Sequence, residues 1–434
     1  MKLRIEKAIY GGAGLARAEG KAVFVPFTLP GEMVEAHITE DRGSYANAEL
    51  DSVLQPSPER VSAACAYFGE CGGCHYQHAK YAAQVEMKVQ ILRESLERAH
   101  LSGIPPIFGV QGEALGYRNR IRLHVDRPSS MLCYKRRGSH ANLAVRECPI
   151  AAPVLREALA AMQVKAEKWR LGEHFSEVEF FTNAGRNELQ GEFPGEVLLT
   201  LWSGRSKGEA RGDLEQLWPQ LVESIPKIRG AAVLSSARGK AQGAMLAQAG
   251  EQGLTYKAAG EEYRVSLGSF FQVNRFLVDS LVELVVMDRS GEVAWDLYAG
   301  VGLFARALTR QFKRVVAVEG AASSVRDLRE NLSGGAHRVA AASTLEFLRM
   351  ARSDRQGRPD FMVVDPPRAG LGKEITALTA EIRPAHITYV SCDPATLSRD
   401  LKSLLDSGYQ LTKLHMVDLF PQTFHLESVA MLSL

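Results

Sequence analysis

The chain has 434 residues, 46% of them hydrophobic, and a formal net charge of +2. Such a length can bury more than one core and suggests two or three domains, while the near-neutral charge excludes a uniformly basic nucleic-acid binder, so any RNA or DNA surface must be a local patch. The opening MKLRIEKAIYGG lacks the apolar stretch of a secretion signal and no apolar run nears the roughly 20 residues of a membrane span, so a cytoplasmic protein with no membrane partner is expected.

Residues 1–58 read as a separate all-β unit. Short alternating segments (LRIEKAI, AVFVPF, MVEAHITE, YANAELDSVLQ) are separated by Gly11-Gly12, Pro30-Gly31 and Arg42-Gly43. This is the pattern of a small OB-like antiparallel barrel. Such a barrel is either a generic β module or an RNA-binding one, and the pattern does not separate the two.

Residues 59–265 read as a central α+β domain. It opens on CAYFGECGGCHYQH, where Cys65, Cys71 and Cys74 are spaced C-x5-C-x2-C and Gly72-Gly73 allows a tight backbone turn. The chain has six cysteines, and three clustered ones without secretion features point to metal rather than disulfides. A closed site needs a fourth ligand. Cys148, in RECPIA, is preferred because Cys-Pro borders iron–sulfur ligands, with Cys133 as the other option. Spacing leaves a [4Fe–4S] cluster and structural zinc both open. His75 and His78 read as ordinary polar neighbours of the loop.

Residues 79–100 carry Val85, Val89, Leu92 and Leu96 at helical intervals, which predicts one amphipathic helix with a solvated charged face, able to pack on the C-terminal half. In GYRNRIRLHV, Arg118, Arg120 and Arg122 fall on one face of an apparent strand beside Tyr117. With Lys135-Arg136-Arg137 they form the best local basic patch. Phosphate contact is preferred over a charge-protected strand edge. The remainder mixes helices (PVLREALAAMQ, GDLEQLWPQLVESI) with strands (EVEFFTN, EVLLTLWS, IRGAAVLSS) and shows no chemistry.

From residue 266 to 434 strands and helices alternate, the mark of a doubly wound, Rossmann-like α/β sheet. EVAWDLYAGVGLFARAL is a strand, then Gly300-Val301-Gly302, then a helix, and close glycines let a cofactor approach the helix start. The strand RVVAVE ends at Glu319, where a carboxylate can hold ribose hydroxyls. The third glycine of the dinucleotide fingerprint is missing, with Phe304 and Ala305 in that region, which favours S-adenosylmethionine over a nicotinamide. In DFMVVDPPRAGL, Asp365 ends an apolar strand and Pro366-Pro367 fixes an extended turn. Arg368 stands where enzymes methylating exocyclic amines carry an aromatic residue, and so argues against that chemistry.

ITYVSCDPATLSRDL places Ser391 and Cys392 at the carboxyl end of a buried strand, with Asp393-Pro394 stopping it. Ligands bind outside the carboxyl ends of such strands, so the thiol faces a site; the competing reading is a buried structural cysteine. Finally, Glu427 follows Thr423 and His425 in an otherwise apolar run, where a carboxylate has a raised pKa suited to a general base.

These residues in this order resemble the S-adenosylmethionine-dependent RNA uracil-5-methyltransferases along nearly the whole chain. The N-terminal barrel resembles a TRAM domain, and C-x5-CGGC with Cys148 resembles the family's [4Fe–4S] site. SFFQVN, DLYAGVGLF, VVDPPRAGL, VSCDP and FHLES match in order. The resemblance implies a class I methyltransferase domain, Cys392 as nucleophile and Glu427 as general base. It puts Gln272, Tyr298, Gly300, Gly302, Glu319 and Asp365 at the cofactor and the target uracil. It implies 23S rRNA as partner, since the tRNA-specific branch typically lacks both TRAM domain and cluster, and a monomer is expected. Leu303 departs from an Asn that contacts cofactor in some relatives, and Ala342 and Ser343 depart from the usual acidic or amide residue. The rivals are a tRNA enzyme, an RNA cytosine-5-methyltransferase, a non-catalytic RNA-binding protein and a radical enzyme. The last lacks its C-x3-C-x2-C signature; the cytosine enzymes usually have Pro-Cys or Thr-Cys where Ser391-Cys392 stands.

Overall fold

The computed structural model describes residues 1–186, 195–236, 243–352 and 358–434. The N-terminal strands are β1 (Lys2–Arg4), β2 (Lys7–Ala8), β3 (Ala13–Ala18), β4 (Lys21–Pro26), β5 (Met33–Asp41) and β6 (Tyr45–Gln55), in the order β1-β5-β6-β4-β3-β2. The two end strands are consecutive in sequence, and a few residues span only about 3.5 Å each, so the sheet must roll up to bring its ends together. Leu3, Ile5, Val23, Val25 and Val34 fill its interior. The segment LRIEKAI is broken into β1 and β2, and β3 (AGLARA) was not foreseen, because small residues between glycines read as turn.

The chain then runs through the cysteine loop into α1 (Tyr81–Arg98) and β7 (Ile107–Val110). The middle sheet contains β8 (Arg120–Val125), β9 (Leu132–Lys135), β10 (Asn142–Ala144), β11 (Glu177–Thr182), β12 (Val197–Ser203), β13 (Ile228–Ser235) and β14 (Met245–Gly250), in the order β10-β9-β8-β11-β12-β13-β14. Helices α2 (Pro153–Lys165), α3 (Leu171–His174) and α4 (Lys207–Ser224) complete this part. Alternate residues Ile121, Leu123 and Val125 of β8 join Leu155, Leu159 and Leu214 in its core, so Arg120 and Arg122 face the other way. A hairpin of β15 (Gly253–Ala258) and β16 (Glu261–Ser266) leads to the last sheet.

The C-terminal part contains α5 (Val278–Val286), β17 (Gly291–Leu297), α6 (Leu303–Leu308), β18 (Phe312–Glu319), α7 (Ala322–Asn331), β19 (Arg338–Ala341), α8 (Thr344–Ala351), β20 (Phe361–Val364), α9 (Gly372–Ile382), β21 (His386–Ser391), α10 (Pro394–Asp406), β22 (Gln410–Val417) and β23 (Glu427–Ser433). The sheet order is β19-β18-β17-β20-β21-β23-β22-β7, with β17 to β21 parallel and β23 antiparallel to both its neighbours. The order reverses between β17 and β20, the place where such sheets open a crevice for ligands. Two apolar layers sandwich the sheet, one from α5 to α7 and the hairpin, the other from α1 and α8 to α10.

Helix α1 and strand β7 therefore belong physically to the C-terminal sheet, β7 pairing parallel with β22. Ile91, Leu92 and Leu96 are buried there, each contributing about 2 kcal/mol of apolar burial. The solvated charged face expected for this helix is corrected at Lys88, which is 0% exposed and paired with Asp418 at 2.6 Å. A helix docked on two surfaces, the sheet and the loop after β22, buries residues on both. No helix among the described residues is long and apolar enough to cross a membrane.

Candidate active site

The candidate site is assembled from the carboxyl ends of β17, β18, β20 and β21 and the start of β23. After β17 the chain passes Tyr298 (φ 64°), Gly300 (φ 56°) and Gly302 (φ 94°), a run of left-handed residues that glycine tolerates. A side chain on Gly302 would place its Cβ 2.7 Å from Leu328 Cδ1. Glu319, ending β18, accepts the Gly300 N–H at 2.9 Å through one oxygen and the Ala321 N–H at 2.6 Å through the other. A carboxylate has about four acceptor positions, so lone pairs remain for a ligand. Tyr298, Gly300, Leu303, Gln272 and Asp365 line one recess, and the Gln272 amide lies 3.5 Å from Asp365.

That recess adjoins a cleft of about 470 Å³ lined by Glu319, Asp365, Arg368, Cys392, His425 and Glu427, within the size range of small-molecule sites. Cys392 is placed by its neighbours. Asp393 Oδ1 caps α10 by accepting the Ala395 and Thr396 N–H groups at 3.1 and 2.9 Å, with Pro394 at the first helical position. The strand-to-helix turn thus leaves Cys392 half-buried at the cleft. Glu427 opens β23, which runs antiparallel beside β21 with Ser428 opposite Ser391. Among the expected residues, Cys392, Glu427, Gln272, Tyr298, Gly300, Glu319 and Asp365 line these two connected spaces. Gly302 sits behind them, at the start of α6.

Burial dominates the electrostatics. It raises Asp365 to about 7, and burial with Asp365 holds Glu427 well above the usual carboxylate range. One Glu427 oxygen is buried without a partner. Cys392 is raised to about 11, by burial first, then by Glu427 and Asp365, against an opposing pull from Arg368. The Arg368 guanidinium lies 3.3 Å from His425 Nδ1; burial and Arg368 lower that imidazole to about 4, so it stays neutral. Phe270, 59% exposed, sets an uncovered ring at the cleft. Neither Arg368 nor Phe270 stood out as a site residue in the sequence, although each adjoins one that did.

The loop 418–426, which delivers Glu427, is largely buried and has its carbonyls satisfied from outside. Asn274 Nδ2 donates to Leu419, Lys88 Nζ to Phe420, Tyr117 Oη to Pro421, and the His75 and Tyr76 N–H groups to Gln422. The Cys74 end of the cysteine loop is therefore bonded to the loop that leads into Glu427. His75 and His78 are mostly buried and lowered to about 4, which makes them neutral packing groups.

Cys65, Cys71, Cys74 and Cys148 line one cavity with Arg118 and Tyr134. Cys133, the alternative fourth ligand, lies outside it on β9, its thiol facing Met131 O at 3.4 Å. Gly72 N–H donates to Lys135 O, fastening the loop to the edge of β9. Burial raises Cys65 and Cys71 and takes Cys74 to about 12. Among the described residues, no group of three or more His, Cys, Asp or Glu side chains is gathered tightly enough to hold a single metal ion.

The expected common face of Arg118, Arg120 and Arg122 is corrected. Strand β8 begins at Arg120, and Arg118 turns inward to the cysteine cavity, its Nε 3.3 Å from Tyr117 Oη. Arg120 is tied to Glu179 at 3.0 Å and to Ser269 O at 2.8 Å. Arg122 is exposed, paired with Glu177 and stacked 3.8 Å from the Trp202 ring. Alternation predicts facing only within a strand, and the chain before Arg120 is not one.

Residues 80–434 match the family model described as tRNA (Uracil-5-)-methyltransferase, and residues 1–50 match the TRAM domain. The chain is 32% identical to an uncharacterised RNA methyltransferase of Aquifex aeolicus, covering 100% of this chain and 98% of that protein. It is also 32% identical to the 23S rRNA (uracil(1939)-C(5))-methyltransferase RlmD of Vibrio parahaemolyticus, covering 99% and 95%. The solved structure of Pyrococcus abyssi tRNA (uracil-54, C5)-methyltransferase in complex with S-adenosyl-L-homocysteine matches with a TM-score of 0.76 at 23% identity, over 100% of both chains. That likeness is one of fold.

Proposed function

The chain belongs to the tRNA (uracil-5-)-methyltransferase family, and we propose that it methylates C5 of a uracil in 23S rRNA through a covalent adduct on Cys392. It is an S-adenosylmethionine-dependent RNA methyltransferase. The choice of 23S rRNA rests on the RlmD relatives at 30–32% identity. A tRNA substrate is the second reading, favoured by the family description. An rRNA substrate also fits the expected cytoplasmic location.

The observation that carries the mechanism is the meeting of Cys392 and Glu427 in one cleft. Uracil C5 is a poor nucleophile. The Cys392 thiolate adds to C6 and moves electron density onto C5. S-adenosylmethionine supplies the electrophilic methyl group that C5 attacks. The methylated ring still carries the C5 proton, which Glu427 removes as the C6–S bond breaks and the thiolate departs. A carboxylate with a raised pKa is a good acceptor for that proton. Asp365 and Gln272, which lie side by side, would orient the uracil N3 and O4, and Phe270 would offer a ring for a base extruded from its stack. Gly300, Gly302, Tyr298 and Glu319 form the cofactor edge. Arg122 remains the exposed candidate for phosphate contact, Arg118 being turned to the cysteine cavity and Arg120 held by Glu179 and Ser269 O.

The cysteine cavity fits a [4Fe–4S] cluster held by Cys65, Cys71, Cys74 and Cys148. Zinc would draw four sulfurs to about 2.3 Å from one ion. A cluster instead spreads its thiolates over separate irons, which suits cysteines that surround a cavity without converging. Arg118 places a positive charge beside that anionic group. Its role here is structural, joining the cysteine loop to the edge that carries Glu427.

The test is methyl transfer from labelled S-adenosylmethionine to unmodified 23S rRNA and, separately, to tRNA, followed by nucleoside analysis. 5-Methyluridine in rRNA, lost in Cys392→Ala, is expected. The same product in tRNA alone overturns the substrate, and 5-methylcytidine or activity surviving the substitution overturns the mechanism.

A further inference from the structure

The N-terminal barrel reaches the nucleophile. The turn after β2 is closed by Ile9 N–H to Ala13 O at 2.9 Å and Gly12 N–H to Ile9 O at 3.2 Å, and it presents Tyr10 outward from the barrel. The Tyr10 hydroxyl lies 3.4 Å from the Cys392 carbonyl oxygen and 3.5 Å from Asp393 Oδ2. Both distances are long for a hydroxyl donor, as befits one proton shared between two acceptors. The Tyr10 ring meets the Phe424 ring edge-on, with centroids 5.3 Å apart. Phe424 in turn contacts His75 at 4.7 Å. Gly12, at φ 93°, presses so close to His75 that a Cβ there would stand 3.0 Å from the His75 Cβ. The turn is thus wedged between the cysteine loop and the segment before Glu427.

The groups already fixing the Cys392 turn come from its own sheet. Asp393 Oδ1 caps α10, Ser391 Oγ accepts the Asp393 N–H, and Ser428 Oγ donates to Ser391 O. These bonds hold the residues on either side of Cys392. Tyr10 engages the Cys392 peptide itself and the free oxygen of the cap. Burial, then Asp393, raises the phenol to about 12, so it remains a protonated donor.

We propose that Tyr10 is a positioning residue for the methyl-transfer reaction: the barrel lends its hydroxyl to the Cys392–Asp393 turn and so holds the thiol in its attacking orientation. The barrel is then part of the reaction centre as well as a candidate RNA-holding module. A displacement of a reacting group by about 1 Å can slow such a step about a hundredfold. The inference rests on the reading of Cys392 as nucleophile.

The experiment uses the full-length protein and an RNA fragment of 23S sequence carrying 5-fluorouridine, whose C5 fluorine cannot be removed and so traps the adduct. Wild-type protein that, with S-adenosylmethionine present, forms no adduct with this fragment or with tRNA carrying 5-fluorouridine sinks the nucleophile reading, whatever Tyr10 does. Given a wild-type adduct, Tyr10→Phe is expected to form it about fivefold more slowly, the loss of one hydrogen bond. On natural RNA, kcat falls by a similar factor while KM for RNA and the melting temperature stay unchanged. Tyr10→Leu, which also loses the ring contact with Phe424, should slow the reaction further. An unchanged kcat for Tyr10→Phe, a rise confined to KM, or a rate loss accompanied by a lower melting temperature would each overturn the proposal.

Discussion

Ser428 stands opposite Ser391 in the antiparallel register of β21 and β23, and its hydroxyl donates to the Ser391 carbonyl at 3.0 Å. One step along each strand, in opposite chain directions, are Cys392 and Glu427. Register alone therefore brings the thiol and the carboxylate to one end of the sheet. Directly opposed residues lie about 5 Å apart in such a pair, near enough to serve one base.

Glu427→Gln removes the proposed base and keeps the proposed nucleophile. Turnover should fall about a thousandfold, and a protein–RNA adduct should accumulate that survives denaturing electrophoresis. Loss of turnover with no adduct would assign Glu427 to an earlier step.

The same substitution carries a stability signature. Burial and Asp365 raise the folded pKa of Glu427 above its unfolded value, so ionising it disfavours the folded state. The stability of the protonated form is complete below the unfolded pKa and is lost as pH rises toward the folded one. Gln stays neutral throughout. The variant should melt higher than wild type at pH 8 and show no such advantage at pH 4, as followed by thermal denaturation.

For Cys392 the sign is set by a thiol raised to about 11. Below that value the thiolate fraction grows about tenfold per pH unit, so kcat/KM should climb between pH 7 and 9. Arg368 opposes the rise, so Arg368→Met should lower kcat by a constant factor between pH 7 and 9, both pKa values lying above that window, with KM for RNA unchanged. A loss confined to a raised KM for RNA would place Arg368 in RNA binding instead.

The Lys88–Asp418 pair, 0% exposed on both sides, anchors the loop that precedes Glu427. Lys88→Met leaves a buried carboxylate unpaired, which costs about 3 kcal/mol or more. Urea denaturation should show that loss, and replacing both residues by apolar ones should recover much of it.

Cys148→Ser and Cys74→Ser should abolish iron and acid-labile sulfide, expected at about four each per chain, whereas Cys133→Ser should retain them. Metal analysis that finds one zinc per chain would replace the cluster by a structural ion.

Much of the C-terminal sheet was legible in the sequence because strand ends that carry chemistry are written locally. The apolar run before Asp365, the Asp-Pro cap after Cys392 and the glycine turn after β17 each need only neighbours a few residues away. The arginines show the limit. Arg118 looked like the third member of a strand face, yet the strand starts at Arg120, and the cysteine cavity takes the side chain. Strand β3 was missed because its small residues gain β structure from their neighbours in the barrel.

The sequence by itself determined the family, pointed to Cys392 and Glu427 as thiol and acid, and preferred the four cysteines that ring one cavity. Tertiary structure alone decided that Glu427 lies across from Cys392, that α1 belongs to the C-terminal sheet with Lys88 beneath the loop, and that Tyr10 touches the nucleophile's turn. The reason is physical. Caps, turns and alternation act over a few residues, whereas strand register and the satisfaction of buried carbonyls depend on partners far along the chain, which only the folded molecule brings into contact.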